Sequence, residues 1–509
     1  MRALFTSAVI VNVLCLAQCY KILTVFPTAA PSHFILGEAI ARGLAEAGHD
    51  VTMVSPFETK NPPKNGKVKD VVLTGLIEEH NRTVIHLFQM EQINMFTHIL
   101  AMNFMGNRNM KKVLDHPNLQ KLLKSGEKFD AVVMEQFLND GLKPLAKHFN
   151  AHLILFSTIG PNMWVNGLVG NPDPSSYIPD WNIAYPIEMN LYQRTWNLII
   201  KTIWYASLHL LSYPGHKKIA EEYLPKGIDF DTALYNVSLV LCNSHESTNQ
   251  AVPVVPNMVQ IGGFHIKPPK KLPQELQDFM DSAKEGVIYF SLGSNIVPST
   301  MGEEKKMAIL KAFGKLKQKV LWKWNEDTIP GKPDNVKLAK WFPQQDLLAH
   351  PNMRLFVTHG GLLSAFETIY HGIPVLALPI FADQSMNAAR AQEAGFGLFM
   401  PFSEITEQKL DEALQKLLND PKYAENAKRR SSYFHDRPIK PMDLTTYWIE
   451  YVIRHKGAEH LRVAGAKLPW YQYYSLDSIV VILLVITSPY FLLKFFLRLR
   501  KKSAKAKKE

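Results

Sequence analysis

Short, nearly uninterrupted apolar runs alternate along this chain with stretches in which apolar residues recur every three or four positions. The runs YKILTVFP (20–27), VTMVSP (51–56), FDAVVM (129–134) and AHLILFS (151–157) have the length and composition of strands buried on both faces. Between the first two, PSHFILGEAIARGLAEAGHD sets Leu36, Ile40 and Leu44 at four-residue spacing with Ala47 extending the stripe, which predicts an amphipathic helix closed by Gly48. Strand, helix, strand in this order predicts parallel βαβ units, and a first domain is placed at 20–265. IKPPKKLP (266–273), rich in Pro and Lys, predicts a linker that runs to 285. A second domain at 286–430 opens on GVIYFSLGSN, continues through a helix near MAILKAFGKL, and holds the buried runs RLFVT (354–358) and PVLALP (374–379). The segment 431–477 contains TTYWIEYVIRH, a helix expected to pack back across the domains.

Both ends carry membrane signals. SIVVILLVITSPYFLLKFFL (478–497) is long enough to cross a hydrocarbon core, and Trp470, Tyr471, Tyr473 and Tyr474 precede it as an interfacial belt. Arg2 and the apolar run after it predict a cleaved signal peptide over 1–19, an uncleaved anchor being the alternative. These signals, with the positive-inside bias, predict a single-pass type I chain whose domains are lumenal. Lys505 and Lys507 resemble a dilysine retrieval signal of the endoplasmic reticulum, against the alternative of a generic basic tail over 498–509. Sequons at Asn81 and Asn236 offer N-glycosylation in that lumen.

Composition changes the picture at one point. The 509 residues carry a net charge of +11, which by itself invites a nucleic-acid reading. Eight basic residues and one acidic residue from Lys494 to Glu509 account for +7 of it, so the body needs no polyanion partner. Of Cys15, Cys19 and Cys242 only the last lies outside the signal peptide, which excludes an internal disulfide framework. No clustered Cys/His zinc pattern and no G-x-G-x-x-G dinucleotide fingerprint occurs.

The candidate chemistry concentrates in WFPQQDLLAHPNMRLFVTHGGLLSAFETIYHGIPVLALPIFADQSMN (341–387). His359 and Gly361 follow a strand and open a helix, where glycine lets backbone approach a diphosphate and the helix end presents N–H groups. Ser364 adds a donor, and Glu367 offers a carboxylate to ribose hydroxyls. Trp341 gives a base a flat platform and Gln344 an amide. Asp383 and Gln384 stand where they can grip sugar hydroxyls. Ser291, Gly293 and Ser294, at the end of an earlier strand, are further candidates for ribose and phosphate.

W-x-P-Q, T-H-G-G, E and D-Q at these spacings resemble the signature of the UDP-glycosyltransferases, the membrane-bound family of glucuronosyltransferases and insect glucosyltransferases. The resemblance runs from signal peptide to tail, and THGGLLSAFE is similar to the insect branch. It implies the α/β GT-B fold, two facing Rossmann-like domains, with a C-terminal transmembrane helix. It implies that Trp341 stacks on uracil, Gln344 and Glu367 hold ribose, His359 and Ser364 bind phosphate, and Asp383 and Gln384 bind the donor sugar. Leu363 stands where many vertebrate members have Asn, leaving that contact to backbone amides and Ser364.

The same resemblance places the catalytic base at His33, in the SHF turn. Its partner carboxylate is read as Glu135, aligned with the end of the family's F-D-x-x-x-x-D pattern, with Asp130 as the competing choice. Glu is one methylene longer than the usual Asp. The implied activity is inverting, metal-independent transfer, with glucose the expected sugar, from a UDP-sugar co-substrate to a hydroxyl of a small lipophilic acceptor. Glucuronosyl transfer, lipid or steroid glycosylation, and a non-catalytic binding protein are the alternatives. No cofactor is expected, and homo- or hetero-oligomers stay open. Asp229-Phe230-Asp231 spells D-x-D but lies far from the nucleotide segment. Met90, Met95, Phe96, Met102, Phe104 and Met105 are candidates for an adaptable acceptor pocket. So are Trp164, Trp181, Trp196 and Trp204.

Overall fold

The computed structural model describes residues 19–83, 88 and 93–506. Residues 1–18 of the expected signal peptide, Met90 and Lys507 lie outside the described residues.

Seven strands form the first sheet: β1 (Lys21–Val25), β2 (Asp50–Ser55), β3 (Val68–Val72), β4 (Ala131–Glu135), β5 (His152–Ser157), β6 (Val237–Cys242) and β7 (Met258–Gln260). Their spatial order is β3-β2-β1-β4-β5-β6-β7, and the paired strands are parallel throughout. The second sheet holds β8 (Val287–Ser291), β9 (Lys319–Lys323), β10 (Val336–Ala339), β11 (Met353–Thr358), β12 (Val375–Ala377) and β13 (Gly397–Phe399). Its order is β10-β9-β8-β11-β12-β13, again parallel. Both are doubly wound, each with apolar cores on its two faces. The central strands β4, β6 and β8 are buried at every residue, which is why they read as unbroken apolar runs.

Helices of the first domain used below are α1 (Pro31–Glu46), α2 (Met95–Asp115), α3 (Met163–Val169) and α4 (Leu191–Ser207), the last running into a π turn at Leu208–Ser212. The rest are α5 (Gln274–Asp281), α6 (Leu362–His371), α7 (Gln384–Glu393), α8 (Pro421–His435), α9 (Pro441–Arg454) and α10 (Leu476–Ala506). The α1 stripe of Leu36, Ile40 and Leu44 is buried. Gly37 lets this helix close on Phe26, since a Cβ there would stand 2.5 Å from the ring.

One segment departs from the sequence reading. Residues 274–281, read as linker, form α5, whose Leu276 and Met280 sit in a core of the second domain. Its apolar content was hidden by the Pro- and Lys-rich stretch before it. The return helix α9 packs on α1, β5 and β6, and its Ile449 and Val452 complete a core of the first domain.

An 18-residue window of α10 within Leu476–Lys501 has mean hydropathy 2.3 and no part of it is buried, so among the described residues α10 is the helix long and apolar enough to cross a membrane.

Candidate active site

In a doubly wound sheet a crevice opens where neighbouring central strands send their connections in opposite directions. In the first sheet that point lies between β1 and β4. His33 stands in the first turn of α1, just after β1, and Glu135 is the last residue of β4. The two meet: His33 Nδ1 makes a short hydrogen bond with Glu135 Oε1. Thr28 Oγ1 donates to Glu135 Oε2 at 2.7 Å, and Asn139 Nδ2 donates to the Glu135 carbonyl at 2.7 Å. With Nδ1–H committed to the carboxylate, Nε2 is the ring nitrogen that can take a proton. Asp130, the competing candidate, stands at the opposite end of β4 and accepts from the Lys21 N–H at 2.7 Å. The longer side chain of Glu135 spans the gap.

Burial disfavours the imidazolium of His33, but the charge of Glu135, the hydrogen bond to it and the charge of Asp383 outweigh burial and hold the pKa above its ordinary value. Asp383 belongs to the second domain, so the two domains are electrostatically coupled at this point.

The second sheet has its own switch point between β8 and β11. Ser291 ends β8 with Gly293 and Ser294 just beyond it, and His359, Gly360 and Gly361 follow β11. The His359 ring lies between two glycines. A Cβ on Gly293 would stand 2.5 Å from His359 Cε1, and one on Gly361 would stand 2.5 Å from Nε2. Gly293 also has φ +82°. Gly293→Ala is therefore expected to destabilise the solubilised chain by about 1–3 kcal/mol, through overpacking and a left-handed backbone. Thermal unfolding checks this, and an unchanged midpoint would refute it. Burial and the nearby Lys323 push the His359 pKa down to about 4, so the ring is neutral near pH 7.

Gly361 caps the N-terminus of α6, and Ser364 lies in its first turn. Gln344 Nε2 donates to Ser364 Oγ at 3.1 Å and to Glu367 Oε2 at 2.5 Å, while Gln345 Nε2 donates to Glu367 Oε1 at 2.8 Å. Burial pushes the Glu367 carboxyl up to about 7, although the hydrogen bonds from both amides pull it the other way. Trp341 is 66% exposed, its ring 4.4 Å from Lys323 Nζ.

Asp383 follows Ala382, a non-glycine residue at φ +60°, and precedes α7. Asn387 Nδ2 donates to Asp383 Oδ2 at 2.8 Å and to the Gly360 carbonyl at 3.0 Å, tying the turn before α7 to the HGG turn. Gln384 differs from the expected free grip. Its Oε1 accepts from the Ile380 and Phe381 N–H groups at 2.8 and 3.1 Å, which leaves its NH₂ for a ligand.

One cavity of about 950 Å³ joins the two halves, lined by every residue named for catalysis or donor binding except Glu135, which stands behind His33. Met102, Phe104, Met105, Trp164 and Trp181 line its far part. Trp204 is instead fully buried in the aromatic core, and Met95 and Trp196 pack against that core. The structure adds Lys323, Gln345 and Phe137 to the lining, with Asn387 as a support. The lysine that follows Val-Leu-Trp at the end of β9 was the available signal for Lys323; Asn387 and Gln345 carry no local mark. Asn81 is exposed on a helix, and Asn236 is exposed with its Oδ1 accepting from Arg462 Nη1 at 2.7 Å. Asp229 caps a helix by accepting from the Thr232 N–H, and Asp231 pairs with Lys217 at 2.6 Å.

The family described as "UDP-glucoronosyl and UDP-glucosyl transferase" matches residues 21–509. The chain is 37% identical to UDP-glycosyltransferase UGT5 of Dactylopius coccus, over 92% of this chain and 90% of that protein. It is 34% identical to UDP-glucuronosyltransferase 2C1 of Oryctolagus cuniculus, over 94% of this chain and 99% of that protein. Among solved structures, the glycosyltransferase of kitacinnamycin superposes with TM-score 0.59 at 17% identity, covering 86% of this chain and 99% of its own. Spinosyn forosaminyltransferase SpnP gives 0.57 at 17%, covering 86% and 100%, and both likenesses show the GT-B fold. With two parallel-sheet domains meeting at one cavity and the family matched along nearly its whole length, the chain belongs to the UDP-glycosyltransferase family.

Proposed function

We propose that this UDP-sugar glycosyltransferase moves glucose, with inversion and without a metal, from UDP-glucose to a hydroxyl of small lipophilic acceptors. The observation that carries the reading is His33, held by Glu135 and facing Asp383 across a cavity walled by Met and Trp. His33 Nε2 takes the acceptor's proton as its oxygen bonds to the anomeric carbon, while the bond from that carbon to the diphosphate breaks on the opposite face. The proton resides on the imidazolium, which Glu135 stabilises, and UDP leaves with the electron pair. Trp341 serves the uracil, Gln344 and Glu367 the ribose, and Ser291, Gly293, Ser294, His359, Gly361 and Ser364 the ribose and diphosphate. The N-terminus of α6 supplies a fixed positive pole in place of a cation.

Glucose rather than glucuronate is favoured by the sugar end. A neutral sugar gives hydroxyls to Asp383 and Gln384, whereas a uronate would set its charge against the Asp383 carboxylate. The D-x-D carboxylates are engaged in a cap and an ion pair, which supports a metal-independent reading. The accompanying reading is a single-pass type I protein of the endoplasmic reticulum, domains lumenal, with Asn81 and Asn236 as glycosylation sites.

UDP release by membranes containing the chain tests this, with EDTA present, comparing UDP-glucose and UDP-glucuronate over phenols, flavonoids and steroids. Acceptor-dependent release from UDP-glucose, undiminished by EDTA, is expected. Release from UDP-glucuronate alone, or its abolition by EDTA, would overturn the donor or the metal reading.

A further inference from the structure

We infer that the outer face of α4, its π turn and the first half of α2 lies in the bilayer surface, and that acceptors enter the cavity from the lipid across it. On α4, Leu191, Tyr192 and Leu198 are 72, 74 and 53% exposed, and on the π turn Leu210 is 73% exposed. Arg194 is the sole exposed Asp, Glu, Lys or Arg over 191–212. The exposed threonines of this face bond back to their own helix. Thr195 Oγ1 donates to the Leu191 carbonyl at 2.8 Å and Thr202 Oγ1 to the Leu198 carbonyl at 2.7 Å, so α4 gives both hydroxyl protons an acceptor of its own.

The neighbouring helix continues the surface. Phe96 meets Trp196 edge-on at 6.3 Å between ring centroids, and Leu100 and Phe104 are 59 and 71% exposed. From Met95 to Asn107 the sequence has no Asp, Glu, Lys or Arg. A contiguous apolar surface of this extent is rare on a soluble monomer and needs a cover.

A bilayer is the cover that the chain's own path supplies, on the reading of α10 as a membrane span. Gly170, which ends α3, lies so close to the juxtamembrane segment that a Cβ there would stand 2.7 Å from the Ala466 nitrogen. Tyr473 Oη reaches the Gly170 carbonyl at 3.5 Å. On α4, Tyr205 is pushed up by burial and by its neighbours Asp173, Tyr474 and Tyr473. Thus the segment that leads directly into α10 runs beside α4. Amphipathic helices beside an anchor settle at the headgroup boundary with their apolar face inward. Phe104 and Met105 belong to this face and also line the cavity, which therefore opens toward the lipid.

The test uses the full chain in vesicles. Leu198→Cys, Leu210→Cys and, as a control on the second domain, Glu412→Cys are labelled with an environment-sensitive fluorophore, and signal from the unsubstituted chain is subtracted. Nitroxide-bearing phospholipids are expected to quench the first two labels and spare the third. A chain that does not float with the vesicles overturns the anchor and the proposal together. A floating chain with all labels unquenched overturns the proposal alone. Label signals that vary with the protein-to-lipid ratio and not with nitroxide also overturn it, in favour of a second copy of the chain. In a second arm, Leu198→Glu with Leu210→Glu is expected to lower kcat/KM roughly tenfold for a bilayer-dissolved acceptor and to leave a water-soluble acceptor unchanged. Equal values for both acceptors in the parent and variant overturn lipid entry; silence with every acceptor in the parent overturns the proposed transferase reading instead.

Discussion

His33→Ala is expected to lower kcat by ~10²–10⁴-fold, the usual contribution of a positioned general base, while UDP affinity stays close to the parent value. UDP release and UDP titration on the same membranes check both halves. A turnover that survives the substitution would remove His33 from the chemistry. The role of Glu135 is separable by pH. The base works only when neutral, so activity falls as pH drops through its pKa, and the raised pKa of His33 places that acid limb above 6.5 in the parent. Burial opposes the charged ring, while Glu135, by charge and hydrogen bond, is the largest influence in its favour. Glu135→Gln therefore leaves burial dominant and is expected to move the acid limb to lower pH, with a reduced plateau because the imidazolium loses its counter-charge. An acid limb that stays in place would show that Glu135 does not set the protonation of His33.

The second large effect is expected at Lys323. This lysine ends β9, donates to the Gly293 carbonyl at 2.8 Å and lies over the Trp341 ring. Burial pushes its pKa down to about 8. Among the described residues no carboxylate forms an ion pair with it, so a half-buried cation faces the cavity without a counter-ion. A diphosphate supplies that charge. Lys323→Met is expected to weaken UDP binding by about 10–100-fold, the worth of a charged hydrogen bond of ~1.5–3 kcal/mol, and to leave uridine binding nearly unchanged. The pH dependence has a definite sign. The empty-site lysine loses its proton as pH rises through about 8, so parent UDP affinity should decline above that pH. The variant should lack this decline. Equal losses for UDP and uridine would mean that Lys323 supports the pocket's shape and not the phosphate.

Much of this protein was legible as sequence because its decisive patterns are local. A parallel strand covered on both faces has to be apolar throughout, so β1, β4, β5 and β8 announce themselves within six residues. The candidate site residues from Trp341 to Gln384 lie within one short stretch that wraps a single switch point, so spacing alone groups them. The apolar run of α10 is likewise a property of consecutive residues. Partnerships between distant residues leave no such local mark, and Glu135 is read as the partner of His33 only through the family resemblance. His33 and Glu135 are 102 positions apart and meet because β4 pairs directly with β1, a strand order that no local periodicity encodes. The same holds for Lys323 beneath Gly293, for Asn387 bracing Asp383, and for α9 closing a core built 400 residues earlier. Hydrophobic pattern and turn chemistry act over a few residues and so specify elements; which elements become neighbours is decided by the burial of their faces together, and the site exists only there.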